Sequence, residues 1–263
     1  MIYINNEQKL GQIKLTKDNF YVVADFDKTI TEGPSVSTWG VMAHADNVAP
    51  DYTERRTALY NHYRPIEIDS TISDEEKSKE MSNWWNSHIA LFYEYELKEE
   101  SLNEAASKGG LKYRVGAKEF LKKMNDLNIP VIIISAGIGN VIEKFLKDNN
   151  DYYPNIKIIS NFIIFENGKI KSLSNEPIHA LNKNIVKLDE KSKKEISKRE
   201  YILLAGDGLA DLKMIPEEDF SRAITVGFLD EKIEENLEYY NQEFDIVITD
   251  NGSFDELKEI LNI

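Results

Sequence analysis

The sequence predicts an α/β protein: a doubly wound, mostly parallel sheet with helices on both faces, interrupted by an inserted helical segment. Three observations carry this. Short apolar, β-branched runs such as Val131-Ile132-Ile133-Ile134 lack the alternation of a half-exposed strand and read as strands buried on both faces. Amphipathic stretches separate several of these runs, which is the order of parallel βαβ units. Finally, the stretch between Gly33-Pro34 and Gly109-Gly110 has a helical character of its own, and strand signals resume only beyond it. The expected division is 1–34 with 114–263 as the α/β core and 35–113 as the insertion.

Taken in order, residues up to about Lys17 are expected to form an N-terminal extension or hairpin. Tyr21-Val22-Val23-Ala24 is a buried strand preceded by the turn-like Asp18-Asn19. Asp51 to His62 and Ser73 to Leu97 read as helices, the second opened by Ser73 as N-cap with Asp74, Glu75 and Glu76 in its first turn. Helices are expected at Ala117 to Leu127 and Val141 to Lys147, and strands at Val131 to Ile134 and Ile156 to Ser160. Asn167-Gly168, between Phe162–Phe165 and Ile170–Leu173, is a hairpin signal. Strands at Tyr201 to Ala205, Ala223 to Val226 and Ile246 to Ile248, with helices at Glu231 to Tyr239 and Phe254 to Leu261, complete the pattern.

Composition bounds the function. With 263 residues, 41% hydrophobic and 30% charged, the chain is long enough for a sizeable core. A net charge of -14 argues against a nucleic-acid polymer or an anionic membrane as partner, since both need clustered Lys and Arg. The absence of cysteine excludes disulfides, zinc-thiolate sites and a thiol nucleophile. No signal peptide is visible, and apolar runs fall short of the roughly 20 residues of a membrane span, so a cytoplasmic protein is expected.

Chemistry concentrates at the ends of the strands. Asp25 and Asp27 follow the first buried run and point the same way by alternation, so two carboxylates crowd one site unless a cation or a proton relieves them. Ser135, Lys183, and Asp207 with Asp211 in Gly206-Asp207-Gly208-Leu209-Ala210-Asp211 lie at or between other strand ends. Each alone has a plain structural reading as a turn, cap or surface residue. Together they suit phosphoryl transfer. A carboxylate attacks phosphorus, a second acid protonates the leaving oxygen and then activates water, lysine and a hydroxyl hold the phosphoryl oxygens, and Mg²⁺ holds the anions together.

These residues carry a resemblance. Asp25-Phe26-Asp27-Lys28-Thr29, Ser135-Ala136-Gly137-Ile138-Gly139, Pro177-Ile178-His179-Ala180-Leu181-Asn182-Lys183-Asn184 and Leu203-Leu204-Ala205-Gly206-Asp207 resemble the haloacid dehalogenase (HAD) superfamily. From Leu59 onward the chain is similar to its pyrimidine 5′-nucleotidase branch, the cytosolic 5′-nucleotidase III group. The resemblance implies a Rossmann-like HAD core with an inserted helical cap. It also implies a Mg²⁺-dependent phosphohydrolase acting on nucleoside monophosphates, of pyrimidine or 7-methylguanosine type, through an aspartyl-phosphate. Carried over, Asp25 is the nucleophile and Asp27 the acid and base. Ser135 and Ala136 bind phosphate, and Lys183, with Lys187 as its rival, neutralises it. Mg²⁺ is bound by Asp25, the main-chain carbonyl of Asp27 and Asp207, with Asp211 close by.

The cap is expected to set specificity, with Glu67 contacting the base and Trp84 or Trp85 stacking on it. His62 and His88 are read as packing or surface residues, while His179, in the matched loop, is open to a structural or a functional role. Two other functions share this constellation: a phosphatase of the same superfamily acting on a phosphoamino acid or sugar phosphate, and a phospho-acceptor signalling switch. Asp27 favours turnover over a switch, because it would hasten loss of the phosphoryl group.

Overall fold

The computed structural model describes residues 1–44, 49, 51–69, 71–185 and 188–263. Nine strands are described: β1 (Ile2–Ile4), β2 (Phe20–Ala24), β3 (Val131–Ile138), β4 (Ile156–Asn161), β5 (Ile163–Glu166), β6 (Lys169–Leu173), β7 (Tyr201–Gly206), β8 (Ala223–Leu229) and β9 (Ile246–Thr249). The helices are α1 (Glu7–Gln12), α2 (Tyr52–Ile68), α3 (Asp74–Glu94), α4 (Glu99–Lys108), α5 (Ala117–Asp126), α6 (Gly139–Asp148), α7 (Glu190–Ile196), α8 (Ile233–Glu243) and α9 (Phe254–Leu261).

Seven strands form one sheet in the order β1-β9-β8-β7-β2-β3-β4, parallel except at β1. All five residues of β2 are buried, as its run of apolar side chains demands of a strand covered on both faces. β2 lies between β7 and β3, with Ala24 opposite Ala205 and Ile133, so the chain beyond it emerges at the middle of the sheet's carboxyl edge. One face of the sheet packs Val22, Ile133, Leu203 and Val226 against Phe120, Ile142, Phe145 and Phe254 of the helices. The other face packs Val23, Ile134, Leu204 and Val247 against Leu212, Met214 and Tyr240.

The N-terminus departs from expectation. Residues 2–4 pair antiparallel with β9 at the sheet edge, and a short helix follows in place of a hairpin. Three residues suffice because the partner strand already exists. Helix α2 runs past His62 to Ile68 with Pro65 inside its last turn, where proline removes a single backbone donor. Helix α3 ends at Glu94 rather than Leu97, since Glu96 takes a positive φ of 47°. Helices α4 and α7 were not expected. The first buries Leu102, Ala105 and Ala106 at helical spacing, while the second buries nothing and so leaves no apolar signature.

Helices α2–α4 pair with no strand of the main sheet. Chain entry and exit are pinned together by a bridge between Thr31 and Tyr113. Trp39, Met42, Tyr52, Phe92, Leu102 and Ala105 form a separate apolar cluster that abuts the core at Ile138, Val141 and Ile163. Hairpin β5–β6 forms the second, two-stranded sheet, turned by Asn167 (φ 53°) and Gly168 (φ 75°) in the left-handed region its turn type requires.

Candidate active site

The carboxyl edge of β2, β3 and β7 brings the predicted acids, serine and lysine into one place. Directly after β2, Asp25 is buried, and its Oδ1 accepts from Lys183 Nζ at 2.5 Å. The same ammonium donates to Asp211 Oδ1 at 2.6 Å. Lys183 is itself buried, on the connection that follows hairpin β5–β6. Burial opposes its charge, but the two carboxylates, Asp211 foremost, outweigh that and hold its pKa above the ordinary range. Lys187 lies outside the described residues.

Carboxylate oxygens of Asp25, Asp207 and Asp211 lie within 4.8 Å of one another. Asp211 is fixed by the first turn that it caps: Oδ2 accepts from the backbone N–H of Asp207 at 3.0 Å and of Gly208 at 2.9 Å. Burial, then repulsion from Asp211 and Asp25, raises the pKa of Asp207 well above the carboxylate range. Burial likewise pushes Asp25 up to about 7 against the pull of Lys183. Three hard oxygen donors whose mutual repulsion disfavours ionisation fit a divalent cation of the Mg²⁺ kind.

Asp27 stands outside that acidic set because its carboxylate is held elsewhere. Oδ1 accepts from Thr38 N at 2.9 Å and Oδ2 from Thr38 Oγ1 at 2.8 Å. Thr38 Oγ1 also accepts from Ile138 N at 3.2 Å, which commits its own proton to Asp27. Burial raises the pKa of Asp27 to about 6, and the Thr38 bonds temper the rise.

Ser135, Ala136 and Gly137 occupy the register shift that separates Ile134 from Ile138 in the β3–β4 pairing. Ser135 Oγ accepts from Gly137 N at 3.0 Å, leaving its proton to be given away. The carbonyl of Ala136 receives three donors: Asn161 Nδ2 at 2.9 Å, Trp39 Nε1 at 3.0 Å and Trp85 Nε1 at 3.2 Å. Gly137 must be glycine, because a Cβ there would collide with Thr38 Oγ1 and stand 3.0 Å from Ser135 Oγ and 3.2 Å from Asp27 Oδ2.

Beyond Asp27, the turn passes through Lys28 at φ 61° and is held from behind by fully buried Arg114. Its guanidinium donates to the carbonyls of Thr29 (2.9 Å) and Lys28 and to Asp230 Oδ2 (2.7 Å). Thr38, Trp39, Arg114 and Asn161 were not singled out as site residues. A lone threonine or arginine carries no local signal of what it will meet across the fold.

Trp84 and Trp85 face different surroundings. Trp85 is half-buried and reaches Ala136, while Trp84 is 5% exposed, stacked on Tyr63 at 5.8 Å and edge-on to Tyr60 at 6.0 Å. Glu67 accepts from Arg64, one turn earlier on α2. His88 is buried beside Trp39, and burial lowers its pKa to about 4. His62 stacks edge-on against Tyr63 at 4.6 Å. No helix among the described residues is long and apolar enough to cross a membrane.

The pyrimidine 5′-nucleotidase (UMPH-1) family model matches residues 25–263. A 7-methylguanosine phosphate-specific 5′-nucleotidase A of Xenopus laevis is 33% identical over 266 residues, covering 98% of this chain and 90% of its own. The crystal structure of cytosolic 5′-nucleotidase IIIB bound to cytidine superposes with a TM-score of 0.82 at 30% identity, covering 98% of this chain and 89% of that one. At 15% identity, a HAD family hydrolase from Salmonella enterica superposes with a TM-score of 0.64 over 92% of this chain and 71% of its own, which shows the fold alone. The chain thus has a HAD-type phosphatase fold and belongs to the pyrimidine 5′-nucleotidase family, the 5′-nucleotidases among phosphomonoester hydrolases.

Proposed function

We propose that this 5′-nucleotidase hydrolyses nucleoside monophosphates of pyrimidine or 7-methylguanosine type by transferring the phosphoryl group to Asp25. The observation that carries the reading is the buried ammonium of Lys183, bonded at 2.5 and 2.6 Å to two of three clustered carboxylates. The ammonium, together with a divalent cation on the three acids, would turn an otherwise acidic pocket into one that accepts a phosphoryl group. In this reading Asp25, Asp207 and the Asp27 carbonyl hold Mg²⁺, with Asp211 beside them. When bound, the ion supplies charge neutralisation for the phosphoryl oxygens.

A carboxylate oxygen of Asp25 attacks phosphorus as the bond to the 5′ oxygen breaks, and Asp27 gives that oxygen its proton. Asp27 then takes a proton from the water that attacks the acyl phosphate, which regenerates Asp25 and frees inorganic phosphate. With a pKa of about 6, Asp27 can both give and take a proton near neutrality. Ser135, Ala136 and Lys183 hold the phosphoryl oxygens.

Segment 35–113 acts as a cap. Its Thr38, Trp39 and Trp85 already contact Asp27 and the phosphate loop. The aromatic group around Trp84 and Trp85, with Glu67, would receive the base. A cytoplasmic location fits the relative named cytosolic.

The test is phosphate release from CMP, UMP, 7-methyl-GMP, AMP, phosphoserine and a sugar phosphate, with Mg²⁺ or chelator, alongside Asp25→Asn. Release from the first three, dependent on Mg²⁺ and lost in the variant, is expected. Release confined to the non-nucleotide esters would overturn the substrate assignment.

A further inference from the structure

We propose that His179 couples the position of helix α3 to the reach of Lys183, as a positioning residue for phosphoryl transfer. The proposal rests on the assignment of Lys183 to the phosphate made above. His179 is 1% exposed and lies four residues before Lys183 on the same short loop. That loop is tied within itself: His179 N donates to Asn182 Oδ1 at 2.7 Å, and Asn182 Nδ2 donates to the carbonyl of Pro177 at 3.0 Å. A push on the imidazole therefore moves the lysine's backbone with it.

The ring's protonation follows from its partners. Nδ1 accepts from Leu181 N at 3.3 Å, which leaves the ring proton on Nε2. Burial keeps the imidazole neutral by lowering its pKa to about 4. Nε2 lies 3.4 Å from both Ser78 Oγ and Ser82 Oγ, successive turns of α3. Ser82 already gives its hydroxyl proton to the carbonyl of Ser78 at 3.0 Å, so it faces the ring as an acceptor. Helix α3 also donates from Trp85 Nε1 to the Ala136 carbonyl at 3.2 Å, and its Asp74–Lys213 pair at 2.9 Å is solvent-exposed and holds little. The imidazole is thus a direct, buried link from α3 to the lysine loop, and through it a shift of α3 is transmitted to the ammonium.

A displacement of about 1 Å at a positioned group can cost about 10²-fold in rate. The experiment is a double-mutant cycle on phosphate release from the best nucleotide of the panel above. Ser78→Ala/Ser82→Ala removes the α3 side of the link and leaves the loop's own bonds intact. Its kcat should fall about 10-fold with KM changed less than about 3-fold, the signature of a contact that matters in the transition state. His179→Gln, whose amide N–H can reach where Nε2–H lies, should retain most activity, and His179→Asn should not. In a Lys183→Ala background, assayed at high enzyme concentration, the serine pair should cost less than about 2-fold more, because the residue it acts through is gone.

Wild-type kcat in a folded serine double variant would overturn the proposal. So would an equal loss in both backgrounds, which marks general softening. Lys183→Ala at the wild-type rate would overturn the lysine assignment itself, and the coupling with it.

Discussion

The phosphate site and the α2–α3 interface treat buried polar groups in opposite ways. Around Asp27, both carboxylate oxygens, the Thr38 hydroxyl and the Ala136 carbonyl are bonded to named partners within the protein. Among the described residues, the Tyr52 hydroxyl, Arg56 Nε, Trp84 Nε1 and His88 Nδ1 of α2 and α3 are buried without a hydrogen-bond partner, against the Thr29 hydroxyl alone in the turn from Asp25 to Thr29. Each such group costs about 1–3 kcal/mol relative to a satisfied one. The proposed active site is organised in advance largely by its own bonds. The helices over it keep donors that their own fold does not satisfy, so their packing is the part that can rearrange at least cost.

The hardest blow to this contrast falls on the core. Asp25→Asn should abolish phosphate release, by about 10⁴-fold or more, since it removes the proposed nucleophile. Lys183→Ala should lower kcat by about 10³-fold. It should also destabilise the metal-free protein by about 3–5 kcal/mol, because Asp25 and Asp211 would lose their shared cation. Thermal unfolding in chelator and in Mg²⁺ separates the two effects: the stability loss should shrink when the metal is present.

How far the molecule can be read from its sequence follows the same division. The strands were legible because a parallel strand buried on both faces must be a continuous apolar run, as Val131 to Ile134 is. Asp25 and Asp207 were legible because short motifs deliver them to strand ends, and Lys183 because it sits in a motif on a connection; the structure brings all three together. Thr38 was not, since its role exists only when the entry to the helical segment folds back over Asp27. Arg114 is a buried cation whose partners, Lys28, Thr29 and Asp230, are scattered along the chain. Helix α7, with no buried residue, writes no periodicity at all.

Smaller effects sharpen the comparison. Thr38→Val keeps the backbone bond to Asp27 but removes the hydroxyl one, and should lower kcat by about 10-fold. Metal affinity should strengthen between pH 6 and 8. The carboxyl of Asp25, pushed up to about 7 by burial, is largely protonated at the lower pH and ionised at the higher, and protons compete with the metal. Titration calorimetry across that window would show it; a flat profile would mean that the acids are already ionised. The smallest effect belongs to the cap. Trp84→Phe removes a buried N–H without a partner among the described residues but leaves a cavity where the larger ring packed, so the two terms offset and stability should change by less than about 1 kcal/mol. Any effect on turnover should appear in KM for nucleotides and not for an ester lacking a base.

The central place of β2 has a consequence for how the protein comes into being. Its neighbours in the sheet are Val131–Ile133 on one side and Tyr201–Ala205 on the other. A ribosome must therefore synthesise most of the chain before the strand that carries Asp25 can be enclosed. Until then an uninterrupted apolar run waits for partners distant in sequence, which makes folding slow and the nascent chain prone to association. The proposed nucleophile is thus made well before the strands that surround it.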